Sequence, residues 1–116
     1  MALKGIDHVF YWVRDMDRAA AFYADVLGLK MLHRAGDDWT EFDAGPIRLA
    51  LHGTDREVPG SGTVVFEVAD LDAERWRLEQ QGVRFDDYVG EVDGRLRFMT
   101  FHDPDANPVQ IFERLG

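Results

Sequence analysis

Apolar positions alternate with polar or aromatic ones along residues 5–14, "GIDHVFYWVR", and β-branched and aromatic side chains crowd the run, which predicts a strand. The segment after it, "DRAAAFYADVL", reads as a helix. Asp15 or Asp17 stands where a cap is needed, and Gly28 lies just past the end, where a left-handed residue is wanted. Strands are expected near 29–35, 38–43 and 46–52, broken by "AGDD" and "DAGP". The same order then returns. A strand is expected over 62–69, and a helix over about 72–81 with Asp70 or Asp72 as cap and Gly82 as stop. Further strands follow near 83–90, 95–102 and 108–114, with Asp93-Gly94 as a tight turn. Between the two copies, "GTDREVPGS" (53–61) is the natural linker.

The recurrence extends to individual residues. "HVFYWVRDMD" (8–17) aligns with "TVVFEVADLD" (63–72), with Val9/Val64, Val13/Val68, Asp15/Asp70 and Asp17/Asp72 identical. "GLKM" (28–31) matches "GVRF" (82–85), and "DAGPIRLAL" (43–51) matches "DANPVQIFE" (105–113). Three matched segments in one order point to an internal duplication. Inside the last pair, Arg48 stands against Gln110, a chemical mismatch in an otherwise conservative copy.

Period-2 alternation assigns faces. Val9, Tyr11 and Val13 point one way and His8, Phe10 and Trp12 the other. Val64, Phe66 and Val68 oppose Thr63, Val65 and Glu67. On the last strands, Ile47, Leu49 and Leu51 oppose Arg48, Ala50 and His52, and Val109 and Ile111 oppose Gln110 and Phe112. The uniformly apolar faces are those a helix should cover. The mixed faces, apolar walls with a few polar groups, have the character of a ligand cavity.

Composition narrows the classes. The 116 residues suffice for one domain with a real core, and the 46% hydrophobic, 30% charged mixture is that of a soluble globular chain. The absence of cysteine removes disulfides, thiolate nucleophiles and cysteine-based metal sites. No apolar run has the length of a membrane span, and "MALKGIDHVF" lacks a signal-peptide layout, so no membrane partner and a cytoplasmic location are expected. A net charge of −9 without a basic patch argues against nucleic acid; it suits solubility, or a field that attracts cationic small molecules. P-loop, Rossmann, GxSxG and HExxH motifs are all missing, and "DPD" at 103–105 reads as turn chemistry rather than a catalytic carboxylate pair.

Two stretches carry a family likeness across essentially the whole chain. "IDHVFYWVRDMDRAAAFYADVLGL" resembles the opening strand and helix of the vicinal oxygen chelate superfamily, and "FHDPDANPVQIFE" resembles its closing DPDGN-type turn and strand. That superfamily groups glyoxalase I, bleomycin-resistance proteins, extradiol dioxygenases, fosfomycin-resistance enzymes and methylmalonyl-CoA epimerase. The resemblance implies an α+β fold of two tandem βαβββ modules whose curled mixed sheets enclose a cavity, commonly in a homodimer. Module 1 is then about 1–53 and module 2 about 62–116, joined by linker 54–61.

In metal-using members, one position on the first and last strand of each module faces the cavity and holds a donor such as His, Gln or Glu for a divalent ion. The resemblance puts His8 and its repeat partner Thr63 at the first-strand positions, and Arg48 and Gln110 at the last-strand ones. That set is poor for a metal. His8 is one good ligand and the Gln110 amide a weak one. The Thr63 hydroxyl is marginal, and the Arg48 guanidinium has no lone pair and stays charged. Catalytic zinc ordinarily wants about three protein ligands and an open position. Neither metal nor other cofactor is therefore expected unless His52, Glu67 or His102 replaces the lost donors. Arg48 has a simpler reading as well, a rim residue paired with Glu67 or Glu41.

The expected function is metal-free binding of a small molecule in an aromatic-walled cavity. Phe10, Trp12 and Phe112 would form walls, and His8, Arg48, Thr63 and Gln110 polar contacts. The alternative is a divalent-metal-dependent lyase, isomerase or dioxygenase using His8 with non-standard partners; a metal-free enzyme with His8 as general base is a third. Trp76 is expected to pack beneath its own sheet or at a subunit contact.

Overall fold

The computed structural model describes residues 6–55, 62–92 and 94–115. Its contacts divide the chain into two compact units, Met1–Gly60 and Ser61–Gly116. Unit 1 runs β1 (His8–Val13), α1 (Met16–Ala21), a π-helical turn (Phe22–Val26), β2 (Lys30–Ala35), β3 (Trp39–Asp43) and β4 (Arg48–Gly53). Unit 2 runs β5 (Val64–Glu67), α2 (Leu71–Gln80), β6 (Phe85–Val92), β7 (Leu96–His102) and β8 (Pro108–Arg114). Each unit builds one four-stranded mixed sheet, ordered β1-β4-β3-β2 in the first and β5-β8-β7-β6 in the second. The first and last strands of a unit pair in parallel, and the other neighbours are antiparallel. Two βαβββ modules in tandem are thus the observed architecture.

Local chemistry sets the element ends. Of the candidate caps, Asp15 accepts from the Arg18 amide at 3.1 Å and Asp70 from the Ala73 amide at 3.0 Å, each satisfying an N–H that the first helical turn leaves open. Gly28 and Gly82 follow the helical segments with φ of 78° and 89°. The helix expected to reach residue 27 departs from α geometry at Phe22. The Leu27 amide reaches back five residues to the Phe22 carbonyl, at 3.0 Å. This wider turn carries Tyr23, which is fully buried with its ring 5.9 Å from that of Phe42. The expected turn at Asp93-Gly94 lies partly outside the described residues, but the Arg95 amide closes on the Val92 carbonyl at 2.8 Å and Gly94 has φ 62°. Residues 56–61 of the expected linker also lie outside them.

The faces follow parity. In unit 1, Tyr11, Val13, Phe42, Leu49 and Leu51 are buried with Met16, Ala19 and Ala20 of α1. In unit 2, Phe85, Met99, Phe101, Val109 and Ile111 are buried with Leu71 and Leu78 of α2. Of the two places expected for Trp76, the first is corrected: it is 65% exposed on α2 and does not pack beneath the sheet. Leu71 and Leu78 are seven residues apart and share the inward stripe, whereas Trp76 lies well round the helix from both. The "DPD" segment is a turn, as read. Asp103 accepts from the Asp105 and Asn107 amides at 2.9 and 2.8 Å and from the Asn107 side chain at 2.9 Å, and is itself buried. No helix among the described residues is long and apolar enough to cross a membrane.

Candidate functional site

The sheet face of unit 1 that α1 leaves uncovered gathers most of the chemistry. Register explains why. β1 lies beside β4 with His8 opposite Arg48, Phe10 opposite Ala50 and Trp12 opposite His52. β3 lies on the other side of β4 with Trp39 opposite His52, Glu41 opposite Ala50 and Asp43 opposite Arg48. Ala50, the smallest of these residues, is fully buried as the floor. Around it the rings interlock. His52 lies 4.2 Å from Trp12, 5.4 Å from Trp39 and 5.7 Å from Phe10, centroid to centroid. Phe10 meets Trp12 edge-on at 5.4 Å, and His8 meets Trp39 edge-on at 5.5 Å, the arrangement aromatic quadrupoles favour. Phe10 nevertheless stays 43% exposed.

A chain of charged contacts borders these rings. Asp7, just ahead of β1, places one carboxylate oxygen 2.9 Å from His8 Nδ1 and 2.6 Å from Arg48 Nη2. The other arm of Arg48 lies 3.5 Å from Glu41, which accepts from the Trp39 indole at 3.1 Å. An ionised carboxylate only accepts, so His8 Nδ1 carries a proton, and in the neutral imidazole the lone pair falls on Nε2. His52 is set alike, with Nδ1 3.2 Å from the Gly53 carbonyl. Trp12 also borders an open cleft of about 600 Å³, whose other walls include Arg14, Asp15, Asp37, Asp38 and Asp55.

The His8 hydrogen bond, followed by the hydrogen bond and charge of Arg48, holds the Asp7 carboxyl below its ordinary 3.8. A depressed carboxyl pKa contributes stability that is full above 3.8 and lost as pH falls through the lower folded value. By carbonyl NMR, Asp7 should titrate below 3.8 and move back toward that value in Arg48→Gln; a midpoint unmoved by the substitution would dismiss the contact.

Unit 2 carries a plainer counterpart. Gln110 donates to Thr100 Oγ1 at 3.2 Å, and Phe112 lies beneath the Arg114 guanidinium, 5.2 Å from ring centre, while Arg114 pairs with Glu67 at 3.1 Å. Thr63 precedes β5 and is exposed, and the residue opposite Gln110 is Val65. The first-strand position carried over as Thr63 is therefore two residues short of Gln110. Of the seven residues expected at a site, unit 1 brings His8, Phe10, Trp12 and Arg48 together, and unit 2 brings Gln110 and Phe112 onto one face. Sequence reasoning named Glu41 as a partner for Arg48 and His52 as a spare donor. It gave Asp7 no role and did not single out Trp39.

Two modules, each with a helix on one sheet face and polar groups among rings on the other, define a class of small αβ proteins. The chain belongs to the Glyoxalase/Bleomycin resistance protein/Dioxygenase superfamily, whose family model matches residues 5–111. It is similar to YwbC of Bacillus subtilis (strain 168), 28% identical over 96% of this chain and 98% of that protein. It is also similar to the metallothiol transferase FosB of Staphylococcus epidermidis, 32% identical over 66% of this chain and 58% of that one. Among solved structures, the lactoylglutathione lyase from Agrobacterium tumefaciens superposes with a TM-score of 0.82 at 22% identity, covering 96% of this chain and 94% of that one, a likeness of fold.

A divalent metal, implied by part of this family, does not fit the donors here. Arg48 offers a cation instead of a lone pair, Gln110 is bonded to Thr100, and Val65 faces it with an alkyl group. The spare donors do not replace them: Glu67 is paired with Arg114, His102 lies 3.6 Å from Asp86, and His52 is packed among rings. Among the described residues, no three of His, Cys, Asp and Glu are placed to share an ion.

Proposed function

We propose that this chain binds a small molecule on the aromatic face of unit 1 without a metal, and that the ligand is a flat organic cation. The reading rests chiefly on the ring cluster of Phe10, Trp12, Trp39 and His52, whose central phenyl stays open to solvent. Ring faces attract cations. Arg48 is engaged by two carboxylates, so it is poorly disposed toward an anion, and Asp7 and Glu41 outnumber it. The aspartates of the neighbouring cleft and the chain's charge of −9 favour the same sign of ligand. A homodimer and a cytoplasmic setting are part of the proposal.

The second reading, a divalent-metal-dependent lyase, isomerase or dioxygenase acting through His8, is favoured by the likeness to a metallothiol transferase. Titration with proflavine, a flat cation, and with the anion anilinonaphthalene sulfonate tests the first. Proflavine should quench tryptophan emission in a Trp76→Phe background and the anion should not. Phe10→Ala should weaken proflavine binding about tenfold. Equal response to both dyes, or none, would reject the cation site. A stoichiometric metal in protein purified without chelator, lost in His8→Ala, would establish the second reading.

A further inference from the structure

We infer that His52 is a proton-operated gate on the aromatic face of unit 1. Neutral, it is one of the rings that receive a flat cation; protonated, it occupies the other rings with its own charge and turns the ligand away. The inference rests on the function proposed above and adds the condition under which that face lets its ligand go. Of the four clustered rings, Phe10, Trp12, Trp39 and His52, only the imidazole gains a charge between pH 5 and 8. Its place gives that charge its effect. His52 stands on β4 opposite Trp12 of β1 and Trp39 of β3. Its centroid lies 4.2 Å from Trp12, 5.4 Å from Trp39 and 5.7 Å from Phe10, all inside the reach of about 6 Å over which a ring attracts a cation. The ligand needs those same rings. A second positive charge brought to them meets a like charge at contact distance, where water screens the repulsion only in part.

His52 Nδ1 donates to the Gly53 carbonyl at 3.2 Å in either state, which leaves Nε2 to take the added proton. Among the described residues that main-chain oxygen is its hydrogen-bond partner, and no carboxylate is bonded to it. The other charged groups of this face differ. On β1, His8 contacts the Asp7 carboxylate at 2.9 Å, so its protonation completes an ion pair. Glu41 of β3 and Arg48 of β4 are joined to each other at 3.5 Å. On β2, His33 is exposed and stands opposite Glu41. Past Trp12 and Gly53, the cleft brings up Arg14, Asp15, Asp37, Asp38 and Asp55. Carboxylates as a class titrate near pH 4, and that of Asp7 is held lower by His8 and Arg48. Arginines keep their charge. Between pH 7.5 and 5.5 the changes of charge on this face therefore fall to its histidines, and His52 is the one set among the rings.

Proflavine, which stays cationic over this range, is titrated into the full chain carrying Trp76→Phe at pH 7.5 and at pH 5.5. Its affinity should be about tenfold lower at pH 5.5, the factor expected when ligand and proton exclude each other at an ordinary histidine. Adding His52→Gln should bring the ratio of the two affinities to about one, whatever their absolute size, while adding His8→Gln or His33→Gln should keep it. NMR of the His52 ring, assigned by its loss in His52→Gln, tests the gate without altering it. Proflavine at about ten times its dissociation constant should lower the midpoint of the His52 titration by about one pH unit, because ligand and proton oppose each other equally. A midpoint that proflavine leaves in place overturns the inference. So does a ratio that persists in His52→Gln, or one that vanishes in His8→Gln or His33→Gln. Failure to bind at pH 7.5 is a different result: it rejects the cation-binding reading itself, and the gate with it.

Discussion

Phe42→Ala is expected to lower the free energy of unfolding by about 3–5 kcal/mol, because a fully buried phenyl is lost from a sheet centre that cannot close around the void. Phe42 lies on β3, the second strand in from one edge of the unit 1 sheet, opposite Leu49 on β4 and Met31 on β2. Its ring lies 5.9 Å from that of Tyr23, which the π-helical turn brings over the sheet. Leu49 and Tyr23 are themselves fully buried, so the surroundings are packed and fixed on strands and cannot slump into the gap. Against a total stability of about 5–15 kcal/mol for a domain of this kind, the loss is a large fraction. Urea titration measures it as a lowered midpoint at unchanged slope. Proflavine binding by the protein that remains folded should be nearly normal, since Trp39 and Glu41 leave the opposite side of the same strand. A loss below about 1 kcal/mol would mean that the helix side of β3 is not the packed core described here.

Much of this was legible in the sequence because side-chain period and burial follow one rule. Val13, Leu49, Leu51, Val109 and Ile111 fall on the faces that parity assigned, and those faces are the buried ones. The duplicated strand and turn order was equally readable, since Asp15 and Asp70, Gly28 and Gly82 serve the same helix ends in both copies. Register between parallel strands was not readable. Aligning the copies pairs Thr63 with His8 and Gln110 with Arg48, yet His8 lies opposite Arg48 while Val65 lies opposite Gln110. A slip of two residues leaves every side chain on its own face, so no hydrophobic pattern records it. No tight turn joins β5 to β8 to fix the count either. Asp7 escaped for a related reason. It precedes β1, where strand parity does not yet apply, and turns back toward Arg48 instead of away from His8. Trp39 needed the antiparallel register of β3 on β4, a spatial fact that places it opposite His52. Trp76 was different: the seven-residue spacing of Leu71 and Leu78 already set the inward stripe of α2, and the tryptophan lies off it.

Gly53→Ala should damage both the fold of unit 1 and its aromatic face. A β-carbon at Gly53 would lie 1.9 Å from the Asp37 carbonyl oxygen and 3.1 Å from the Asp37 carbonyl carbon, both of them main chain. The two segments cannot simply part, because the Gly53 amide donates to the Asp38 carbonyl at 2.9 Å and anchors the turn between β2 and β3 there. Over-packing that side chains can absorb costs about 1–3 kcal/mol, and here the yielding atoms belong to a turn, so the upper part of that range is expected. The turn leads directly into Trp39, which stands opposite His52 at the end of β4. Moving it displaces the indole that Glu41 holds at 3.1 Å and opens the ring cluster from one side. Proflavine affinity should therefore fall about tenfold even where the variant is fully folded. Gly90→Ala is the informative contrast. The three atoms nearest a β-carbon there would all belong to the Phe98 ring, the closest at 2.1 Å, and a side-chain ring can rotate away in unit 2 without moving main chain. It should cost less stability and leave dye binding at the unit 1 face unchanged. If the two substitutions proved equally mild, the turn would not be what positions Trp39, and the aromatic face would owe its shape to strand pairing alone.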